Sequence, residues 1–345
     1  MTLIVDFTHV HRKTTGIERV SLDLFGPEQM AGIDALHVRA TSSRTMVLAQ
    51  WMRMPLRAAS HRRDLFLCPG FPPSLPLSLL AGERLITYIH DLFLIERPHD
   101  LNRTARFYMR PSFRFAVRHG RHFLVNSRFT ESRLRAYCSP QASVMLLRPP
   151  VGDAFDLASL APRPAPGADV PLRLVSIGTI EPRKNFLYGA EIRARLEALL
   201  NRPVEFHIIG RSGWGTDTQA LSRKARVVLH GYCTPERAQA ILAGADIFLS
   251  TSREEGLGLP LLEVQHGGLC VAATDIPAFR EVLGTSGLLL PLDDAARAAG
   301  ILCERLSSPD WKPLAAAAAR ANIAAWNAGA DGDRNAFLSR LQSRI

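Results

Sequence analysis

The chain has 345 residues, 47% of them hydrophobic and 21% charged, with a formal net charge of +10. That length suits two domains better than one, and that apolar content excludes wholesale disorder because it suffices for two cores. The charge is uneven, with 22 Lys/Arg against 13 Asp/Glu in residues 1–165 and 20 against 19 in residues 166–345.

In chain order, short apolar runs at residues 3–7, 64–67, 85–90, 122–125 and 144–147 predict buried strands, with helices between them. From Ala161 to Pro171 the sequence reads Ala-Pro-Arg-Pro-Ala-Pro-Gly-Ala-Asp-Val-Pro. Four prolines and a glycine in that space predict a stiff linker, so the domain boundary is expected there. Beyond it, strands are expected at residues 173–177, 204–209, 227–229, 247–250, 269–273 and 288–290, separated by helical segments that include 186–200 and the alanine-rich 314–319. The expected organisation is therefore an N-terminal domain over 1–165, a C-terminal domain over 166–325 and a helical tail over 326–345. Strands and helices alternating in this way imply parallel sheets covered on both faces, with ligands bound beyond the carboxyl ends of the strands.

Five scattered cysteines, Cys68, Cys138, Cys233, Cys270 and Cys303, form no C-x-x-C pair and fit a reduced compartment. The opening apolar run ends at Asp6, too soon for a secretory signal, and no apolar stretch reaches membrane-spanning length. A cytoplasmic protein is expected.

Two runs carry chemistry. Gly178-Thr179-Ile180-Glu181-Pro182-Arg183-Lys184-Asn185 follows a predicted strand and precedes a predicted helix. There Arg183 offers a planar fork and Lys184 a point charge, which suits a diphosphate, though alone the pair reads more readily as a solvated basic loop. The second run, Glu254-Glu255-Gly256-Leu257-Gly258-Leu259-Pro260-Leu261-Leu262-Glu263, also follows a strand. Gly256 and Gly258 permit close approach of a ligand to backbone N–H groups, and Pro260 suits a first helical turn, placing Glu263 near the start of a helix. Glu255 and Glu263 can accept hydrogen bonds from two hydroxyl-bearing parts of one ligand, or else serve as helix-capping acids.

Taken together, these runs and their flanking strands over residues 172–291 resemble the nucleotide-sugar-binding domain of retaining glycosyltransferases of family four. His207-Ile-Ile-Gly-Arg211, the segment Ala273–Val282 and Gly287-Leu-Leu-Leu-Pro291 extend the likeness. The first half is similar more loosely, through Thr15-Gly16-Ile17-Glu18-Arg19, His90-Asp91-Leu92 and Val125–Thr130, whereas residues 35–80 and those beyond about 310 lie outside the resemblance. It implies an α/β protein of the GT-B class, two Rossmann-like domains with parallel sheets facing across a cleft. It also implies that Arg183 and Lys184 neutralise the donor diphosphate, that Glu263 meets the ribose and Glu255 a sugar hydroxyl, and that His90 touches the transferred sugar. Gly16, Gly178, Gly210 and Arg211, with the backbone of Gly256, Leu257, Gly258 and Leu259, complete the implied nucleotide-sugar contacts. Some relatives carry an arginine after the strand glycine where this chain has Thr179, leaving Arg183 or Arg211 to compensate. Cationic side chains fill the role a divalent ion has elsewhere, so neither metal nor cofactor is expected, and Asp331-Gly332-Asp333 reads as a solvated loop.

The implied partners are a nucleoside diphosphate sugar, with a lean towards GDP-mannose, and a glycan or polyprenyl-diphosphate-linked glycan. Arg103, Arg106, Arg110, Arg114, Arg118 and Arg121 recur at helical spacing beside Phe107, Phe113 and Phe115, a stripe suited to an anionic membrane surface or simply to water. Pro111 either kinks that helix or starts a new one. Nucleic acid is excluded as a partner because no helix-turn-helix, zinc or RNA-binding pattern accompanies the charge. A dinucleotide oxidoreductase and a P-loop nucleoside triphosphatase lack their glycine motifs. A nucleotide-sugar epimerase or a catalytically silent sugar-nucleotide-binding partner remain as alternatives.

Overall fold

A computed structural model describes residues 1–10, 16–98, 105–160, 164, 167 and 170–343. They divide into two compact units, one formed by Met1–Pro150 with Ala328–Ile345, the other by Val151–Asn327. The division falls at Pro150, eleven residues before the proline-rich run that marked the expected boundary. Likewise the expected tail is not a separate element: residues 326–345 continue the long helix Trp311–Gln342, and those from Ala328 onward belong to the first unit.

The first unit holds β1 (Leu3–Phe7), β2 (Ala35–Arg39), β3 (Leu65–Cys68), β4 (Leu85–Ile89), β5 (His122–Val125) and β6 (Ser143–Leu146). They pair in the order β2-β1-β3-β4-β5-β6, every pair parallel. All residues of β1, β3 and β4 are buried, as near-continuous apolar strands covered on both faces should be.

The second unit holds β7 (Leu172–Ile177), β8 (Val204–Ile209), β9 (Val227–Gly231), β10 (Ile247–Ser250), β11 (Cys270–Thr274) and β12 (Gly287–Leu290). Their order is β12-β11-β10-β7-β8-β9, again all parallel. The strand order reverses between β7 and β10, so the loops after these two strands diverge to opposite faces and leave a crevice at their carboxyl ends. Two apolar clusters cover the sheet, one built round Leu174, Phe206, Ile247 and the helix Phe186–Leu200, the other round Val175, Phe248, Val271 and Phe279. The α/β class and the paired parallel sheets therefore agree with the sequence reading.

Two local expectations are corrected. Asp331-Gly332-Asp333 lies within the helix Trp311–Gln342 and is no loop; Asp333 accepts from Arg148 Nε at 2.6 Å, a charge pair that keeps this polar turn helical. Phe113, expected on the exposed arginine stripe, is buried against Ile89, Val117 and Phe123, because the helix Arg110–His119 turns that face to its sheet. Pro111 stands at the junction where the π-helical stretch Ala105–Met109 gives way to this helix.

Candidate functional site

Three short structures at the switch point of the second unit bring the expected residues together. After β7 the chain turns at Gly178 and enters a 3-10 turn, Pro182–Lys184, which Asn185 closes in a left-handed conformation at φ 52° before the helix Phe186–Leu200 begins. After β10, residues 251–258 lead into the five-residue helix Leu259–Glu263, with Pro260 in its first turn and Gly258 at φ 97° ahead of it. A Cβ on Gly258 would stand 2.7 Å from the Phe279 ring, so glycine is needed there for space as well as conformation. After β8, Gly210 packs so closely on the first loop that an added Cβ would lie 1.8 Å from the Gly178 carbonyl oxygen.

The first two loops are tied by backbone and side chain. Arg253 N–H donates to the Arg183 carbonyl at 2.9 Å, and the Thr251 hydroxyl donates to the Lys184 carbonyl at 3.0 Å. Across this seam Glu255 pairs with both cations: Lys184 Nζ lies 2.6 Å from one carboxylate oxygen and Arg183 Nη1 2.7 Å from the other. The Ser252 hydroxyl donates to Glu255 at 2.8 Å. Burial alone would raise the Glu255 pKa, but Lys184 and Arg183 outweigh it and hold the carboxyl down to about 2. Burial works against the charge on Arg183 too, yet Glu255 and Glu181 raise its pKa.

Glu181, Ser252 and Asn185 were not singled out from the sequence. Glu181 is buried and accepts from Arg183 Nη2 at 2.6 Å, so Arg183 is braced between two carboxylates. The only available signal was its place two residues before Arg183, at the strand mouth. Ser252 is also buried, and Asn185 accepts a long hydrogen bond from Arg253 at 3.4 Å.

The remaining expected residues fall as follows. Glu263 is buried, and it ends its short helix instead of lying near the start. The Leu257 side chain belongs to the core, and Arg211 is exposed while its carbonyl accepts from Ile180 N–H at 2.9 Å. In the first unit, Gly16 opens the helix Gly16–Phe25, with Thr15 outside the described residues. His90 follows β4 and shares a 2.7 Å hydrogen bond between Nε2 and the Pro69 carbonyl after β3. Burial lowers its pKa to about 4 despite that bond, so the ring is neutral at neutral pH. Among the described residues no cluster of three or more His, Cys, Asp or Glu could hold a metal ion.

A crevice at a switch point, bordered by an Arg-Lys pair that Glu181 and Glu255 brace, is the kind of place where a doubly wound sheet takes a phosphorylated ligand. Residues 171–308 match the family Glycosyl transferases group 1. This match spans the three loops just described. The chain is also 26% identical over 257 residues to the O-antigen chain mannosyltransferase B of Escherichia coli, covering 68% of this chain and 64% of that protein. It is 28% identical over 116 residues to the serotype-specific mannosyltransferase WbdA of Escherichia coli, covering 31% of this chain and 14% of that one. The matches thus span less than two thirds of either relative. In fold the chain is similar to the crystal structure of Anabaena HepE in complex with UDP and glucose. The TM-score is 0.71 at 16% identity, covering 99% of this chain and 100% of the other.

Proposed function

We propose that the protein is a retaining glycosyltransferase that moves a hexose from a nucleoside diphosphate sugar to a glycan or a polyprenyl-diphosphate-linked glycan. The observation that carries this reading is the double ion pair of Arg183 and Lys184 on Glu255 at the switch point of the second unit. On this reading it keeps two cations fixed and ready for a leaving diphosphate. The group 1 match over the same loops supports the reaction class, and the two mannosyltransferase relatives support mannose as the sugar.

In this reading the donor's phosphate oxygens replace the Glu255 oxygens on Arg183 and Lys184. The freed carboxylate then accepts from a hydroxyl of the transferred sugar, while Glu263 accepts from the ribose. Negative charge grows on the diphosphate as the glycosidic bond breaks, so cations fixed beforehand by Glu181 and the Arg253 to Arg183 backbone bond stabilise the transition state more than the ground state. The backbone of Gly178, Gly210 and Gly256 to Leu259 lets the ligand come close, with Arg211 at the rim. His90, with its pKa lowered to about 4 by burial, is a neutral hydrogen-bonding group at neutral pH and not a cation. The two cations do the work of a divalent ion, so chelator should leave the rate unchanged.

The deciding experiment is a panel of UDP-, GDP- and ADP-sugars tested for thermal stabilisation, since a ligand of the folded state raises the melting point by mass action, followed by transfer assays with the sugar that binds. GDP-mannose should stabilise the protein and be consumed only with an acceptor. An epimerised or free sugar formed without acceptor favours an epimerase, and binding without turnover favours a silent subunit. Lys184→Ala and Glu263→Ala should each lower kcat/KM by on the order of 10²-fold, the loss expected for one transition-state partner. Activity within a few-fold of wild type for both variants overturns the assignment.

A further inference from the structure

Three donors meet the Glu255 carboxylate. Lys184 Nζ and the Ser252 hydroxyl share one oxygen, at 2.6 and 2.8 Å, and Arg183 Nη1 lies 2.7 Å from the other. The two cations are the groups that a diphosphate would draw to itself. Ser252 is neutral, so a phosphate gains far less from it than from either charge. When phosphate oxygens displace the carboxylate from Lys184 and Arg183, Ser252 is therefore the donor of the three that stays with Glu255. A carboxylate that is 12% exposed and has just lost two positive partners is costly to keep ionised unless a hydrogen bond remains.

Ser252 is built to keep its place through such an exchange. It is buried, and the backbone that carries it is tied on both sides. Thr251 before it donates to the Lys184 carbonyl at 3.0 Å, and the Arg253 N–H after it donates to the Arg183 carbonyl at 2.9 Å. From the neighbouring strand the hydroxyl of Thr274, buried at the end of β11, donates to the Ser252 carbonyl at 2.5 Å. The short serine side chain takes its position directly from this anchored backbone. Glu255 has a longer side chain and stands beyond these ties, beside Gly256 and ahead of the helix Leu259–Glu263. A fixed donor next to a carboxylate with freedom to turn makes a pivot.

We propose that Ser252 is a positioning residue for Glu255, its hydroxyl keeping hold of one carboxylate oxygen when the donor takes both cations and so turning the other oxygen towards the transferred sugar. The inference rests on the transfer reading, because it concerns the state in which a donor diphosphate has replaced Glu255 on Arg183 and Lys184. Ser252 acts through Glu255 and not on the donor itself. With a nucleoside diphosphate alone, water fills the sugar's place and hydrates the freed carboxylate, so the serine matters little. With the sugar present that water is excluded, and a hydrogen bond to a charged group is strongest where water cannot substitute for it.

The test is calorimetric titration of the full chain with GDP and, separately, with GDP-mannose. Ser252→Ala should bind GDP within about twofold of wild type but GDP-mannose about tenfold more weakly, the usual loss for one hydrogen bond to a charged group. Ser252→Cys keeps the shape and supplies only a weak donor, so it should lose most of the same factor. In a Glu255→Ala background, Ser252→Ala should change GDP-mannose affinity by less than about twofold, since a residue that acts through Glu255 then has nothing to act on. Equal losses for both ligands would make Ser252 a support for the loop and overturn the proposal. So would wild-type discrimination in Ser252→Cys, or a loss on Ser252→Ala that persists without Glu255. If wild type binds neither ligand, the reading of this site as one for GDP-mannose fails and the proposal falls with it. If wild type binds both and the variants show no split, that reading stands and the proposal falls alone.

Discussion

Glu255 sits where two opposite demands meet. Its carboxylate is 12% exposed, close to Lys184 and Arg183, and such a buried pair is stabilising only while both partners are present. Under the proposed function a donor diphosphate must therefore compete with an anion the protein supplies itself. Glu255→Gln keeps the shape and removes the charge, so the cations lose their internal partner and gain affinity for any diphosphate. Under the proposed function the variant should bind GDP several-fold more tightly than wild type by calorimetry while its kcat falls, because the carboxylate assigned to the sugar is gone. Weaker GDP binding would mean that Glu255 holds the cations in place and does not compete for them. His90 gives a residue-scale prediction of another kind. Its folded pKa, about 4, lies below the ordinary 6.5, so the unfolded chain takes up the proton first as pH falls. Stability from the neutral ring is complete above pH 6.5 and lost between there and pH 4. A His90→Gln variant should show a shallower fall in melting temperature across that window than wild type.

At the scale of elements, the ends of β7 and β8 meet through two glycines, and the Gly178 loop keeps its course only because Gly210 has no side chain. Gly210→Ala should force the loops apart, costing about 1–3 kcal/mol as overpacking and lowering donor affinity together with melting temperature. Loss of affinity without loss of stability would mean that the strand ends are more pliant than drawn. The elements were largely legible beforehand. Strands β1, β5 and β10 fall on short, largely apolar runs and β8 on Val204–Ile209, where apolar residues alternate with Glu205 and His207, while the helix Phe186–Leu200 follows from its length and polar interruptions. Strand β2 was missed because Ala35-Leu-His-Val-Arg39 mixes polar and apolar residues at a sheet edge, where one side of the strand meets no neighbour. The cations and glutamates were legible as a spacing, but the pairing of Glu255 with residues 71 and 72 positions away is set by the sheet order, which no local pattern encodes. Phe113 and Asp333 were misplaced because their settings are tertiary: Phe113 packs on Phe123 of the next strand, and Asp333 pairs with Arg148, 185 residues away.

For the whole molecule the main fact is that the first unit includes the end of the chain. Phe337 and Leu341 are buried, Phe337 packs edge-on to Phe25 with ring centroids 5.9 Å apart, and Arg334 donates to the Gln29 carbonyl. The second unit closes on itself, with Val151 N–H donating to Asn327 and Trp326 in its own core. Each unit thus has its own apolar interior, and two interiors favour two unfolding steps, not one. Deleting a buried phenylalanine side chain typically costs about 3–5 kcal/mol through lost burial and the cavity left behind. Phe337→Ala should accordingly move the unfolding of the first unit to lower urea and leave the second near its original midpoint. Tryptophan fluorescence separates the two, since Trp51 belongs to the first unit and Trp214, Trp311 and Trp326 to the second. In a variant that keeps only Trp51 the transition should shift, and in one that lacks only Trp51 it should stay. If both report the same shift, the units unfold as one body and the long C-terminal helix couples them.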